Sequence, residues 1–284
     1  MKTLLYLFLI LLLISCEKLD FTPTQQTKAA TKSNLTIAIH DIEQTPFSNT
    51  STPCTRLNYG IYTEDGTRLK QINQQQGEAD FGIASFQLPA GTYHLLVLAH
   101  SSNGNPTMTT PAKIQFKNNQ GYTDTFMHYA TITVGTEEQT LTPSLDRIVS
   151  MCRFVINDSI PDDVTQIKFN YTGGSGAFDA ITGLGCVNSK QEVKFDVTEG
   201  QPWTEYDLYT FLHKQEDVIS LKATALDATG NNLCQWDFEI PMQQNQITLL
   251  SGYFFADQPI TDDWSLIPKT EMNSTWKNEI HLEY

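Results

Sequence analysis

The chain has 284 residues, of which 40% are hydrophobic and 18% charged, and its 32 acidic residues against 18 basic ones give a formal net charge of −14. That length suffices for two domains of ordinary size, each with its own core. An acidic chain without any basic cluster lacks the electrostatic footprint of a nucleic-acid binder and has no charge-based grip on anionic lipid headgroups.

The first element is Leu4–Ile14, an unbroken apolar run that follows Lys2 and ends at Ser15-Cys16. A membrane-spanning helix needs roughly 20 apolar residues, whereas a run of about 10–14 has the length of a signal-peptide core. Residues 1–15 therefore read as an export signal, with Ser15 the small residue before the cut and Cys16 the first mature residue. The run Leu13-Ile14-Ser15-Cys16 resembles a bacterial lipobox, which implies a diacylglycerol on the Cys16 thiol and an acylated, palmitate-type N-terminus. Several acyl chains at about 0.8 kcal/mol per buried methylene give the stable attachment that one chain does not.

Residues 16–34 lack periodicity and are rich in Thr, Gln and Lys, the composition of a flexible tether. From Leu35 short β-like segments begin. "LTIAIHDI" alternates as a half-buried strand does, and "RLNYGIYTEDGTRLKQI" is a hairpin about Asp65-Gly66. The run Tyr93–Ala99 is too apolar for a one-faced strand and predicts a central strand buried on both faces. Residues 101–121 read as a long loop, then "YTDTFMHYATITV" and "EEQTLTP" as closing strands. Thr142-Pro143-Ser144 marks a boundary between a first domain at 35–143 and a second at 144–257. The second opens with "LDRIVSMCRFVI" and continues through six β segments separated by turns at about 8–12 residues, the spacing of an antiparallel sandwich. The tail, 258–284, is polar until "NEIHLEY", where Ile280, Leu282 and Tyr284 alternate with acidic and His residues in the pattern of a last strand. That strand is read as closing its own domain, with donation to a partner as the alternative.

Chemistry-bearing constellations are missing from this pattern. His40, His94, His100, His128, His213 and His281 are scattered, with no HExxH-like pair, GxSxG elbow or phosphate-cradling loop. The glycine-dense residues 172–185 feed β segments rather than a helix, so they read as tight turns in a loop. Asp162-Asp163 and Asp262-Asp263 are adjacent pairs that cannot face each other across a substrate, and are read as solvated turns. Cys54, Cys152, Cys186 and Cys234 show no metal-ligand spacing, and three of the four follow residue 150, so at least one free buried thiol is expected. The Asn-x-Ser/Thr triplets at Asn34, Asn49, Asn157, Asn170 and Asn273 are read as chance. Trp203, Tyr206, Tyr209 and Trp236 are the aromatics that can stack on sugar rings, and keep a glycan partner open. No metal, cofactor or catalytic residue is expected.

"LPAGTYHLLVLAH" at 88–100, "LDRIVSMCRFVI" at 145–156, residues 160–191 and "FEIPMQQNQITLLSGYFF" at 238–255 resemble stretches of fimbrillin-superfamily lipoproteins, particularly the fimbrial anchor type. The resemblance implies an all-β chain of two tandem transthyretin-like β-sandwich domains, held at the outer membrane by lipid on Cys16. It implies fimbrial stalk or accessory subunits as partners, joined by strand exchange, and no enzymatic activity. Stalk subunits of that family lose their first strand to proteolysis after a basic residue, whereas anchors keep it. Lys28, Lys32 and Arg56 sit in no cleavage context, so an anchor or cap of the polymer is the expectation, with glycan binding as the alternative.

Overall fold

In a computed structural model, which describes residues 32–39, 54–117, 121–198, 204–256 and 279–284, the alternating Leu35 and Ile37 form β1 (Leu35–Ala38). The Asp65-Gly66 turn, with Gly66 at φ 82°, joins β2 (Arg56–Tyr62) to β3 (Arg68–Gln75). There follow β4 (Ile83–Phe86), β5 (Gly91–His100), β6 (Thr107–Thr110), β7 (Lys113–Gln115), β8 (Thr125–Val134), β9 (Gln139–Leu141) and β10 (Asp146–Arg147). Two sheets face each other, in orders β4-β1-β9 and β10-β8-β5-β2-β3. Leu35 and Ile37 from one, with Leu57, Tyr59, Leu95 and Val97 from the other, fill the space between them. The apolar run of β5 is indeed central in its sheet: Leu95 and Val97 face this core, and Leu96 and Leu98 face a different one.

The C-terminal half contains β11 (Ser150–Ile156), β12 (Gln166–Thr172), β13 (Gly174–Ser175), β14 (Ala177–Asp179), β15 (Leu184–Gly185) and β16 (Gln191–Asp196). After these come β17 (Thr204–Leu212), β18 (Glu216–Leu226), β19 (Asn232–Gln243), β20 (Ile247–Gly252) and β21 (Glu279–Glu283). The sheet β13-β17-β11-β20-β21 packs on β16-β12-β18-β19. Phe154, Phe169, Leu221, Phe238, Leu250 and Phe254 make their shared core. Among the described residues all regular elements are strands, and Ser33–Tyr284 form one unit.

Three segments depart from the sequence expectation. Residues 101–121, expected as a loop, supply β6 and β7, and the glycine-dense stretch supplies β13, β14 and β15. Of these, β6, β7, β14 and β15 meet in a fifth sheet, β15-β14-β7-β6, with Phe178 opposite Ile114, while β13 pairs with β17. Each strand is two to four residues long, and the pairings of β7 with β14 and of β13 with β17 reach far along the chain, so neither alternation nor length announces them in the sequence. "LDRIVSMCRFVI" is likewise divided: Asp146 and Arg147 pair with β8 of the first half, and only Ser150 onward opens the second.

The fifth sheet covers a core to which both halves contribute. Leu96, Leu98, Ile114 and Phe116 pack with Phe178 and Phe211, and the Phe178 and Phe211 rings lie 4.9 Å apart. Beside it the Arg147 guanidinium, 2% exposed, makes a bidentate pair with Asp124 at 2.7 and 2.9 Å and lies 4.6 Å over the Phe126 ring. Burial pushes the Asp124 carboxyl upward against the pull of Arg147. The turn after β19 adds a further tie, because Gln244 Nε2 donates to the carbonyls of Gly183 and Ile148 at 2.7 and 3.3 Å.

Candidate functional site

Two seats for extended strands stand out, one for each end of the described chain. The first holds β1, which lies between β4, antiparallel, and β9, parallel. Leu35 and Ile37 are wholly buried, and outward-facing Thr36 bonds Ser85 at 3.3 Å. Asn34 fixes the entry. Its Nδ2 donates to the carbonyls of Leu88 and Gly135 at 2.9 and 2.8 Å, and its Oδ1 accepts from the Leu88 amide at 3.0 Å. Buried to 5% exposure, Asn34 thus belongs to the seat of the first strand rather than to the tether, and its amide is committed to the fold rather than presented as a glycan acceptor.

The second seat holds β21, which runs parallel to β20 at the edge of its sheet. Its alternation places Leu282 in the core at 5% exposure, while Ile280 and Tyr284 pack against that core. The Tyr284 ring stacks on Phe154 at 5.1 Å, and its hydroxyl donates to the Val155 carbonyl at 3.0 Å. Burial, with the Asp158 charge nearby, drives that phenol far above its ordinary range. Gly252 lies directly beneath Tyr284, and any side chain there would collide with it. Asp158 secures the adjoining segment: its carboxylate accepts from the amides of Phe254, Phe255 and Ala256 at 2.9, 2.7 and 2.9 Å. The "NEIHLEY" strand therefore closes its own half. An extended segment held by ladder bonds and alternate side chains in an apolar trough is the arrangement through which one chain can complete another.

The remaining sequence candidates separate. Ser15, Cys16, Lys28, His40, Trp203 and Asp262-Asp263 lie outside the described residues. Arg56 begins the paired strand β2. Asp162-Asp163 are exposed in a turn. His100 is buried and neutral: its Nε2–H donates to Asn58 Oδ1 at 2.7 Å and its Nδ1 accepts from the Ser102 amide at 3.1 Å. Burial, reinforced by the charge of Arg56, holds its pKa down to about 4. His94 is half-buried, stacks on Tyr129 at 5.5 Å and bonds Thr131 at 3.1 Å. Of the aromatics, Tyr206 is core, Tyr209 is half-buried, and the Trp236 indole N–H donates inward to the Phe254 carbonyl at 2.9 Å. Among the described residues these aromatics form no stacking platform. Cys54 and Cys152 are buried free thiols, Cys234 is half-buried and Cys186 exposed. Burial pushes the Cys54 thiol up to about 12. Among the described residues no cluster of His, Cys, Asp and Glu could hold a metal ion, and no helix is long and apolar enough to cross a membrane.

A candidate adhesin from Bacteroides ovatus shares the fold with a TM-score of 0.51 at 12% identity, over 73% of this chain and 83% of that one. The fimbrial anchor protein Mfa2 from Porphyromonas gingivalis aligns with a TM-score of 0.39 at 15% identity, over 72% and 81% of the two chains. A fimbrial assembly protein from Parabacteroides distasonis aligns at 0.39 and 10% identity, over 77% and 89%. The chain belongs to a family of unknown function, DUF6562, whose profile matches residues 16–281. No curated protein matches it in sequence.

Proposed function

We propose that this protein is a lipid-anchored cell-surface subunit that holds or caps a fimbrial polymer, joined to its neighbours by strand exchange and without catalysis. The observation that carries the reading is the intact first strand: β1 sits centrally between β4 and β9, locked at its entry by Asn34. A subunit that keeps this strand has no vacant seat for a donor at that sheet, so a chain of strand donations ends on it, as it must at an anchor or a cap. The attachment to the outer membrane would be through Cys16, and the family match opens at that residue. Fimbrial and adhesin neighbours support the partner class, stalk or accessory subunits. The N-terminal half and the C-terminal half, which opens at Ser150, would act as tandem sandwiches stiffened by the core they share.

The test replaces Cys16 by Ala, behind a cleavable signal that restores export, and inspects the culture medium. Shed polymers carrying this protein at one end are expected. Release of the monomer alone, with no fimbrial subunit attached, overturns the reading.

A further inference from the structure

The outward face of the sheet β16-β12-β18-β19 carries a cleft of about 430 Å³ that neither strand seat uses, a size ordinary for a small-ligand site. Its lining follows from strand register. Glu192, Asn170, Lys222 and Asp237 stand side by side across the four strands, one directly opposite the next. In the neighbouring row Thr172, Ser220 and Glu239 do the same. Lys168 and Lys190 complete the walls, so three ammonium groups meet three carboxylates and the cleft is formally neutral on a chain of net charge −14.

These groups are arranged as donor–acceptor pairs. Lys222 Nζ lies 2.9 Å from Asp237 Oδ1, and Ser220 Oγ donates to Glu239 Oε1 at 2.6 Å. The Lys222–Asp237 pair keeps an ammonium proton and carboxylate lone pairs beyond those it uses internally, and the Ser220–Glu239 pair adds acceptor lone pairs. At the centre the Asn170 amide oxygen has no hydrogen-bond partner and lies among half-buried lysine stems, Lys168 on its own strand and Lys222 opposite. Anions and cations are both poorly matched to a neutral grid. Vicinal hydroxyls, each a donor and an acceptor on adjacent carbons, are well matched to it. Trp236 on β19 turns inward, so recognition here is by hydrogen bonds rather than ring stacking.

We infer that this face binds a neutral, hydroxyl-rich ligand of the oligosaccharide class. The inference goes beyond the fimbrial role and does not rest on it. The test is calorimetric titration of the mature-length Cys16→Ala protein with neutral hexaoses of glucose (α-1,4 and β-1,4), mannose and xylose, and with hexagalacturonate. At least one neutral hexaose is expected to bind with a Kd of about 1 mM or tighter, and Lys222→Met and Glu239→Gln each to weaken it at least about fivefold, the loss of one or two hydrogen bonds. Both variants should melt with the parent, since the side chains face solvent. Three results overturn the inference: no neutral hexaose binding below about 10 mM, tighter binding of hexagalacturonate, or the same weakening from Lys70→Met on the distant strand β3.

Discussion

The terminal residue Tyr284 lies over Gly252 so closely that a β-carbon on Gly252 would stand 2.1 Å from the Tyr284 carbonyl oxygen and 2.5 Å from its ring. Gly252→Val must therefore displace the tyrosine and with it Leu282. We expect residues 279–284 of that variant to exchange their amide hydrogens as an unstructured peptide does, while β11 and β17 keep their protection. Unchanged protection of the tail in hydrogen-exchange mass spectrometry would show that the seat tolerates a side chain and that close approach is not what fixes it.

Asn34 is held by three hydrogen bonds of its side-chain amide. Asn34→Ala leaves those buried groups unmatched, at about 1–3 kcal/mol for each, so a loss of several kcal/mol is expected in urea unfolding. Asn34→Asp should be worse than Ala, because a carboxylate has no proton to give the carbonyls of Leu88 and Gly135. An Asp variant more stable than the Ala variant would sink this account of how β1 is locked.

The buried neutral His100 makes stability fall in acid. Its pKa is held at about 4 in the fold, against roughly 6.5 in an unfolded chain, so below 6.5 the unfolded state binds the extra proton. Its contribution is complete above pH 6.5 and is lost as pH drops toward 4, with a slope approaching about 1.4 kcal/mol per pH unit. His100→Gln can offer an amide to Asn58 and does not titrate. Denaturation midpoints measured at pH 7, 6, 5 and 4.5 should diverge between the two proteins, and parallel curves would assign the acid sensitivity elsewhere.

Phe178 comes from the C-terminal half yet packs with Ile114 and Phe116 of the N-terminal half. Phe178→Ala should cost about 3–5 kcal/mol and also separate the melting of the two halves, where a single transition is expected of the parent. Calorimetry distinguishes this from plain core damage, which lowers the midpoint and leaves the transition single.

Asp124→Asn strands the Arg147 guanidinium at 2% exposure. Breaking one partner of a buried pair costs about 3–5 kcal/mol. Arg147→Met together with Asp124→Leu should recover most of that loss, since it removes both charges and keeps the volume. A double variant as unstable as Asp124→Asn would mean that the pair supplies something beyond charge balance.

The all-β character, the hairpin at Asp65-Gly66 and the doubly buried β5 were legible because each is local. They rest on side-chain alternation, a turn dipeptide, or an apolar run, all within about ten residues. The closing strand "NEIHLEY" was legible for the same reason, from the spacing of Ile280, Leu282 and Tyr284. Asn34 was assigned to the tether because its role depends on Leu88 and Gly135, far along the chain. Trp236 was open in the sequence to either stacking or core filling, because alternation says that side chains change face and not which face is covered.

The amino-acid order alone determined the strand-rich composition, the turn positions and the acidic balance, since these are properties of neighbouring residues. Only the tertiary structure decided that residues 107–115 and 177–185 make one sheet, that both halves share the core around Phe116 and Phe178, and that the outward faces of β12 and β18 gather a neutral polar cleft. Those features come from register between distant strands. A two-residue strand carries no signal of its partner, and a charged side chain on a strand acquires a site only when three neighbours are set beside it.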